Sequence, residues 1–91
     1  MNYTVVLFDR VGNASPPLPC DIHCDATELE IDAELSYEYI SNSYSAHILD
    51  DSEIISRHSV LGYNFIGDTI INGVNASRSG QYILIISPAI F

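Results

Sequence analysis

Two stretches of the chain, one near each end, are apolar at successive positions and lack the alternation of a half-exposed element. Residues 82–86 read Tyr-Ile-Leu-Ile-Ile, and Pro88 follows them closely. A strand that is apolar on both faces has to be covered on both sides, so this run predicts a central strand. Pro88 should end it, because proline lacks a backbone donor. Residues 2–9 are β-branched and aromatic and predict a first strand, which we expect beside the C-terminal one.

Residues 28–39 show the opposite pattern, an unbroken alternation of polar and apolar positions. As a strand, this stretch would present a row of acids on one face and a row of apolar side chains on the other. A helix capped by Asp25 or Thr27 is the alternative, but it would stack acids four residues apart with no lysine beside them. We favour the strand and keep the helix open. The acids concerned are Glu28, Glu30, Asp32, Glu34 and Glu38.

The segments between these runs predict turns and loops. Residues 12–19 hold three prolines within four positions and predict a loop. Residues 44–61 predict a hairpin that turns at residues 50–52, and Asn72-Gly73 predicts a second hairpin with a short return strand to Ala76. The predicted fold is mainly β (or α+β), a single antiparallel sheet of four to six strands with at most one short helix in residues 25–40. Residues 1–91 should form one small acidic domain.

The charge of the chain is strongly one-sided. Twelve acidic residues stand against three arginines and no lysine, which gives a net charge of −9 and an isoelectric point near 4.2. No lysine or arginine occurs between residues 11 and 56. Such a surface repels phosphate backbones and anionic lipids, so we expect no direct binding to nucleic acid or to a membrane. The matching partner is a basic protein surface, toward which long-range attraction would steer the chain.

Cys20, His23 and Cys24 fall within five residues and resemble part of a zinc site, whose ligands are thiolate and imidazole. They supply at most three ligands, and no second pair follows at motif spacing, so we predict no metal and no other cofactor. The residues before Val5 lack the basic segment of a signal peptide. The expected location is therefore the cytoplasm, where a disulfide between the two cysteines is not favoured.

Motifs of catalysis are missing from the sequence. It contains no nucleophile elbow, phosphate-binding loop, dinucleotide fingerprint or metalloprotease motif, and its three histidines are dispersed. We therefore expect a protein that is not an enzyme.

The acidic pattern predicts a binding function. Successive acids on a strand lie ~6.6 to 6.8 Å apart, and two phosphates along one strand of duplex DNA span ~6.8 Å. An acidic strand could thus occupy a basic groove that is built for phosphates. Small inhibitors from phages or other mobile elements offer an analogy in size and acidity. The predicted partner-binding residues are Glu28, Glu30, Asp32, Glu34, Glu38, Tyr37, Tyr39, Asp50, Asp51 and Glu53.

Two other hypotheses use the same residues differently. The acids could form a solvated face that keeps a small apolar domain soluble and blocks aggregation between strand edges. Alternatively, the chain could be a structural or self-associating subunit, a homo-oligomer that uses its tyrosines and its apolar C-terminal strand.

Overall fold

The computed structural model describes residues 3–24, 29–70 and 78–88, with the backbone alone described for residues 67–70 and 78–79. All strand pairs in this part of the chain are antiparallel, and the strand order β1-β2-β3-β6-β5-β4 closes into a barrel. This confirms the predicted antiparallel sheet, and its six strands are the upper limit of the four to six that were predicted. The elements are β1 (Tyr3–Phe8), β2 (Leu18–Cys24), β3 (Leu29–Leu35), α1 (Tyr37–Ser41), β4 (Ser45–Asp50), β5 (Glu53–Ile70) and β6 (Arg78–Ile86).

The core lies inside the barrel, where alternate residues of each strand meet. Every second side chain of β3 and β6 points inward and is buried, because successive side chains of a strand point to opposite faces. Each fully buried leucine or isoleucine contributes about 1.5 to 3 kcal/mol of hydrophobic free energy. The buried apolar residues are Val5, Leu7, Ile31, Ala33, Leu35, Ile40, Ala46, Ile48, Tyr82, Leu84 and Ile86.

The C-terminal strand β6 has a strand on each side, β3 and β5, so its prediction as a central strand is confirmed. Its outward residues Ile83 and Ile85 are half-buried rather than covered. The expectation that β1 lies beside β6 was wrong, because β1 pairs with β2 and β4 instead. The reason is barrel closure: β1 fills the gap between the β2–β3 pair and the β4–β5 pair, which local sequence does not encode.

The alternating stretch 28–39 is a strand only as far as Leu35. The chain then turns at Ser36, whose carbonyl oxygen accepts hydrogen bonds from the backbone N–H groups of Tyr39 (3.1 Å) and Ile40 (3.3 Å). This single helical turn, α1, buries Ile40 completely in the core. Burial of Ile40 thus overrides the sequence alternation. The prediction allowed at most one short helix in residues 25–40, and the single turn α1 lies at the end of that range and runs one residue beyond it.

The predicted loop 12–19 ends earlier than expected, because β2 begins at Leu18. Pro19 pairs with Thr4 at the start of the strand, a position where the missing backbone donor of proline is tolerated. Only two residue pairs join β1 to β2, whereas five join β2 to β3. Most of β2 is therefore held by β3.

The β4–β5 hairpin confirms the turn predicted at residues 50–52. Asp51 and Ser52 both have positive φ, 48° and 73°, which is the backbone of a two-residue type I′ turn. The second predicted hairpin turn, at Asn72-Gly73, and its return strand to Ala76 lie outside the described residues.

β5 is one strand of 18 residues that continues past residue 61, where the predicted hairpin ended, and through Gly62. Its first half pairs with β4 and its second half, from Val60, pairs with β6. Three β-bulges make this change of neighbour possible, since each adds a residue, bends the strand and increases its twist. The bulged residues are Ile55, Leu61 and Ile66.

Candidate functional site

The outer surface of β3 carries three acids at alternate positions. Glu30, Asp32 and Glu34 point outward, because Ile31, Ala33 and Leu35 between and beyond them fill the core. Glu34 is exposed, and the other two acids are half-buried. Along a strand, alternate side chains are ~6.6 to 6.8 Å apart. The structure therefore brings together three of the five acids that were predicted to form one row.

β2 adds a fourth acid beside this row. Asp21 lies directly opposite Asp32 in the antiparallel register, and His23 lies opposite Glu30. Directly opposed side chains have their Cβ atoms ~4.5 to 5.5 Å apart, and like charges in this position are destabilising. We call Asp21, Glu30, Asp32 and Glu34 the acidic face.

Asp32 is at the centre of the acidic face and has two neutral or weakly basic neighbours. Gln81 on β6 donates a hydrogen bond from Nε2 to Oδ1 of Asp32. His23 Nε2 lies 4.0 Å from Oδ2 of Asp32, and the imidazole is largely exposed. Exposed pairs of this kind contribute little to stability, and only when the histidine is protonated. Among the described residues, no lysine or arginine forms an ion pair with this face.

The arginines whose side chains the structure describes, Arg10 and Arg57, lie on neither β2 nor β3. The guanidinium of Arg10, in the β1–β2 connection, sits 4.7 Å from the centre of the Tyr44 ring. Arg57 lies opposite His47 in the β4–β5 pair. The side chain of Arg78 lies outside the described part of the chain. β5, which carries Arg57, is separated from β3 by β6, so this guanidinium does not lie on the strands of the acidic face.

An open depression of about 420 Å³ borders the acidic face where β1 and β2 diverge. Asp21, Asp32 and Glu34 contribute carboxylates to it, and Tyr3 and Cys20 line it as well. Burial raises the pKa of the Cys20 thiol to about 11, with a further contribution from the charge of Asp21. The thiol is therefore protonated near neutral pH. A depression lined by three carboxylates is suited to a lysine or arginine side chain of a partner.

Cys20, His23 and Cys24 do not converge as metal ligands. All three lie on β2, and His23 points to the face opposite to that of the two cysteines, because side chains alternate along a strand. The cysteines are four residues apart, ~13 Å along an extended strand, whereas one zinc ion holds its ligand atoms within ~2.3 Å of itself. The same separation exceeds the reach of a disulfide.

The other predicted site residues do not join the acidic face. Tyr37, Glu38 and Tyr39 belong to α1, where Tyr39 packs against the core and the other two are exposed. Glu38 borders a separate depression of about 330 Å³ beside the β1–β2 loop. The second acid cluster, Asp50, Asp51 and Glu53, surrounds the β4–β5 turn and is separated from β2 by β1. Glu28 lies outside the described residues.

Sequence reasoning missed Asp21, His23 and Gln81 as members of this surface. The available signal was the register of β2 against β3, in which Cys24 pairs with Leu29 and therefore Asp21 with Asp32. That signal requires residues 20–24 to be recognised as a strand.

Comparisons of the chain with protein-family models, with curated proteins and with solved structures found no match. Within the described residues, no helix has the length and apolar character needed to cross a bilayer. The functional interpretation therefore depends on the geometry of the acidic face.

Proposed function

We propose that this chain is a non-catalytic binding protein whose acidic face engages a basic surface of another protein. The observation that carries the proposal is the direct opposition of Asp21 and Asp32, with Glu30 and Glu34 on the same face. Opposed carboxylates repel each other in the free protein. A basic partner would relieve that repulsion, so the arrangement favours the bound state.

The partner is most simply a protein that binds nucleic acid. The acids of β3 repeat every ~6.6 to 6.8 Å, close to the ~6.8 Å that two phosphates span along one strand of a duplex. Asp21 adds a carboxylate on the adjacent strand, one strand spacing of ~4.8 Å away. A groove lined with arginine or lysine for phosphates would accept this array, and the chain would act as an inhibitor that mimics nucleic acid, such as a phage or another mobile element could encode.

Two observations favour binding over catalysis. The Cys20 thiol, whose pKa burial raises to about 11, is a poor nucleophile near neutral pH. Both ring nitrogens of the buried His58 are engaged, Nδ1 with the Ser87 carbonyl oxygen and Nε2 with the Ser56 hydroxyl, each at 2.7 Å. Neither group is available as a base or nucleophile for a substrate.

Capture of partners from a cell lysate at low salt tests the proposal with two charge-matched variants. The first, Asp21→Asn with Asp32→Asn and Glu34→Gln, removes three charges from the acidic face. The second, Glu38→Gln with Asp51→Asn and Glu53→Gln, removes three exposed acids elsewhere, so both variants change the net charge from −9 to −6. We expect the parent and the second variant to capture a basic protein that salt elutes, and the first variant to lose it.

Two outcomes would contradict the proposal. Equal loss of capture by both variants would mean that net charge alone attracts the protein. Capture that persists in high salt and in the acidic-face variant would mean that another surface binds.

The hypothesis of self-association through the C-terminal strand has less support. The alternate side chains Tyr82, Leu84 and Ile86 of β6 fill the core, and both neighbours of the strand are already paired with it.

A further inference from the structure

Most of β2 has a strand on one side only, within the described part of the chain. β1 pairs with β2 at Leu18 and Pro19, whereas β3 pairs with it from Cys20 to Cys24. Residues 20–24, which we call the β2 edge, therefore extend past the described ladder with β1. An edge of this kind presents backbone donors and acceptors that can pair with another chain.

Pro19 identifies which backbone groups face β1. In an antiparallel ladder, pairs that exchange two hydrogen bonds alternate with pairs that exchange none. Pro19 has no N–H, so its pair with Thr4 is of the second kind. The neighbouring pair, Leu18 with Val5, is therefore the hydrogen-bonded one.

The same alternation assigns the backbone groups of the β2 edge. Successive residues of a strand direct their N–H and C=O groups to opposite sides. Counting from Leu18, Ile22 and Cys24 direct these groups away from β3. Asp21 and His23 direct theirs toward β3, where they pair with Asp32 and Glu30. An added strand would therefore find one donor and one acceptor at each of Ile22 and Cys24.

The side chains of the β2 edge fit a strand that is basic on one face. Asp21 is exposed and borders the depression of about 420 Å³ that Asp32 and Glu34 also line. A residue directly opposite Asp21 would have its Cβ atom ~4.5 to 5.5 Å away, so a lysine or arginine there would lie beside these carboxylates. Ile22 points to the other face, where it is half-buried and packs against the core. An apolar residue opposite Ile22 would cover the part that is still exposed.

Charge selects which strand can be added. The edge of a second copy would bring another Asp21, in a chain of net charge −9. Charged side chains on an open edge are the usual protection against such pairing between copies. The same charge attracts a segment that carries lysine or arginine. The β2 edge thus disfavours self-association and favours a basic partner.

We propose that the chain takes up an extended basic segment of its partner, which adds to the β2 edge as an antiparallel strand. Alternate residues of the segment are lysine or arginine and lie on the side of Asp21, and the residues between them are apolar and lie on the side of Ile22. Main-chain hydrogen bonds provide affinity in this mode of recognition, and alternate side chains provide specificity. The proposal rests on the proposed function, since the same carboxylates supply the charge, and it adds the form of the partner.

Methylated peptides test the proposal on the unaltered protein. The probe is the capped peptide Lys-Val-Lys-Val-Lys-Val-Lys, and its affinity at low salt is measured by heteronuclear NMR. Opposite Ile22 and Cys24, the valines would exchange hydrogen bonds with β2, while the lysine N–H groups would point away from it. N-methylation of the valines should therefore weaken binding at least about tenfold. N-methylation of an equal number of lysines, the matched control, should leave the affinity nearly unchanged.

Amide hydrogen exchange locates the bound peptide. In the free protein, the N–H groups of Ile22 and Cys24 should exchange faster than those of Asp21 and His23, which are bonded to β3. Saturation with the unmethylated peptide should slow exchange at Ile22 and Cys24 at least about tenfold, because these groups become hydrogen-bonded.

A proline substitution removes one donor of the edge. Ile22→Pro should weaken binding of the unmethylated peptide at least about threefold, whereas Ile22→Val, which keeps the N–H, should not. Proline is compatible with a strand edge whose N–H faces solvent, and an unchanged circular dichroism spectrum verifies the fold. The methylated peptides need no change to the protein, so they decide the question if Ile22→Pro does not fold.

Three results would overturn strand addition. The unmethylated peptide could fail to bind at millimolar concentration. Both methylated peptides could bind equally, without slower exchange at Ile22 and Cys24, which would leave the charge of the acidic face as the whole cause of binding. Slow exchange of these two amides in the free protein would mean that the edge is already covered.

Failure of the proposed function would be recognised by a different result. The variant Asp21→Asn with Asp32→Asn and Glu34→Gln should bind the unmethylated peptide at least about tenfold more weakly than the parent. Unchanged affinity, together with slower exchange at Ile22 and Cys24, would support strand addition and contradict an acidic face that binds by charge.

Discussion

The opposition of Asp21 and Asp32 should cost stability, and replacing Asp21 by Asn should recover it. Asparagine keeps the shape of the side chain and removes one of two like charges on directly paired residues. Two unit charges ~5 Å apart in water repel by roughly 0.8 kcal/mol, and unfavourable cross-strand pairs span about 0.2 to 1 kcal/mol. For a chain of this size, 1 kcal/mol corresponds to a change in Tm of about 4 to 8 °C. We therefore expect Asp21→Asn to raise the Tm by about 2 to 6 °C.

The control for this prediction is Glu34→Gln. Glu34 lies on the same face and has the same charge, but its partner on β6 is the neutral Gln81. Removing it should leave the Tm nearly unchanged. Thermal unfolding followed by circular dichroism at low salt measures both variants, and a double-mutant cycle with Asp32→Asn isolates the pairwise repulsion. The gain for Asp21→Asn should shrink in 1 M salt, where charges are screened over ~3 Å.

A lower Tm for Asp21→Asn, or an equal rise in Tm for Glu34→Gln, would contradict a destabilising repulsion between Asp21 and Asp32. The first result would mean that Asp21 makes a favourable contact that outweighs its repulsion by Asp32. The second would mean that net charge, not the pairing of these two residues, sets the stability.

Three further predictions concern buried and titrating groups. The substitution His58→Ala should lower the free energy of unfolding, measured by urea titration, by roughly 2 to 4 kcal/mol. It removes a buried ring and leaves the Ser87 carbonyl oxygen without the hydrogen bond from His58. A loss under about 1 kcal/mol would contradict this prediction. Because its pKa is raised to about 11, Cys20 should be alkylated at pH 8 about 100-fold more slowly than a free thiol of pKa 9.0. Peptide mass spectrometry after timed labelling measures this rate. Labelling at the rate of the free thiol would show that Cys20 forms an accessible thiolate. Burial, followed by the charges of Arg57 and His58, holds the pKa of His47 below 6.5. The stability that depends on neutral His47 is therefore present above pH 6.5 and is lost as the pH falls through the folded pKa. In an NMR titration, Arg57→Gln should raise the pKa of His47, and an unchanged pKa would show that Arg57 is not a cause of the shift.

The strands with strong local signals could be predicted from sequence. The runs that became β1 and β6 are apolar and bounded by turn residues, and the β4–β5 hairpin has a two-residue turn that Asp51 and Ser52 adopt. Closure of the barrel could not be predicted in the same way. It depends on the ladder between β1 and β4, whose partners lie up to 47 positions apart, as in the pair Tyr3 and Asp50.

Two local errors had tertiary causes. Residues 20–24 were considered only for a partial zinc motif and assigned to no strand, but their pairing with β3 makes them part of β2. The alternation of residues 28–39 continues to Tyr39 in sequence, whereas the strand ends at Leu35 because the chain turns to bury Ile40. Both errors affected the candidate site: the first omitted Asp21 and the second included Glu38.

The most direct test of the acidic face is competition for a captured partner that binds nucleic acid. A fluorescently labelled duplex bound to that partner reports displacement as a fall in anisotropy. We expect the parent chain and the Glu38, Asp51 and Glu53 variant to displace the duplex, and the variant of Asp21, Asp32 and Glu34 to need at least about tenfold more protein. Simultaneous binding of the chain and the duplex, or equal displacement by both charge-matched variants, would contradict the claim that this face occupies a phosphate-binding groove.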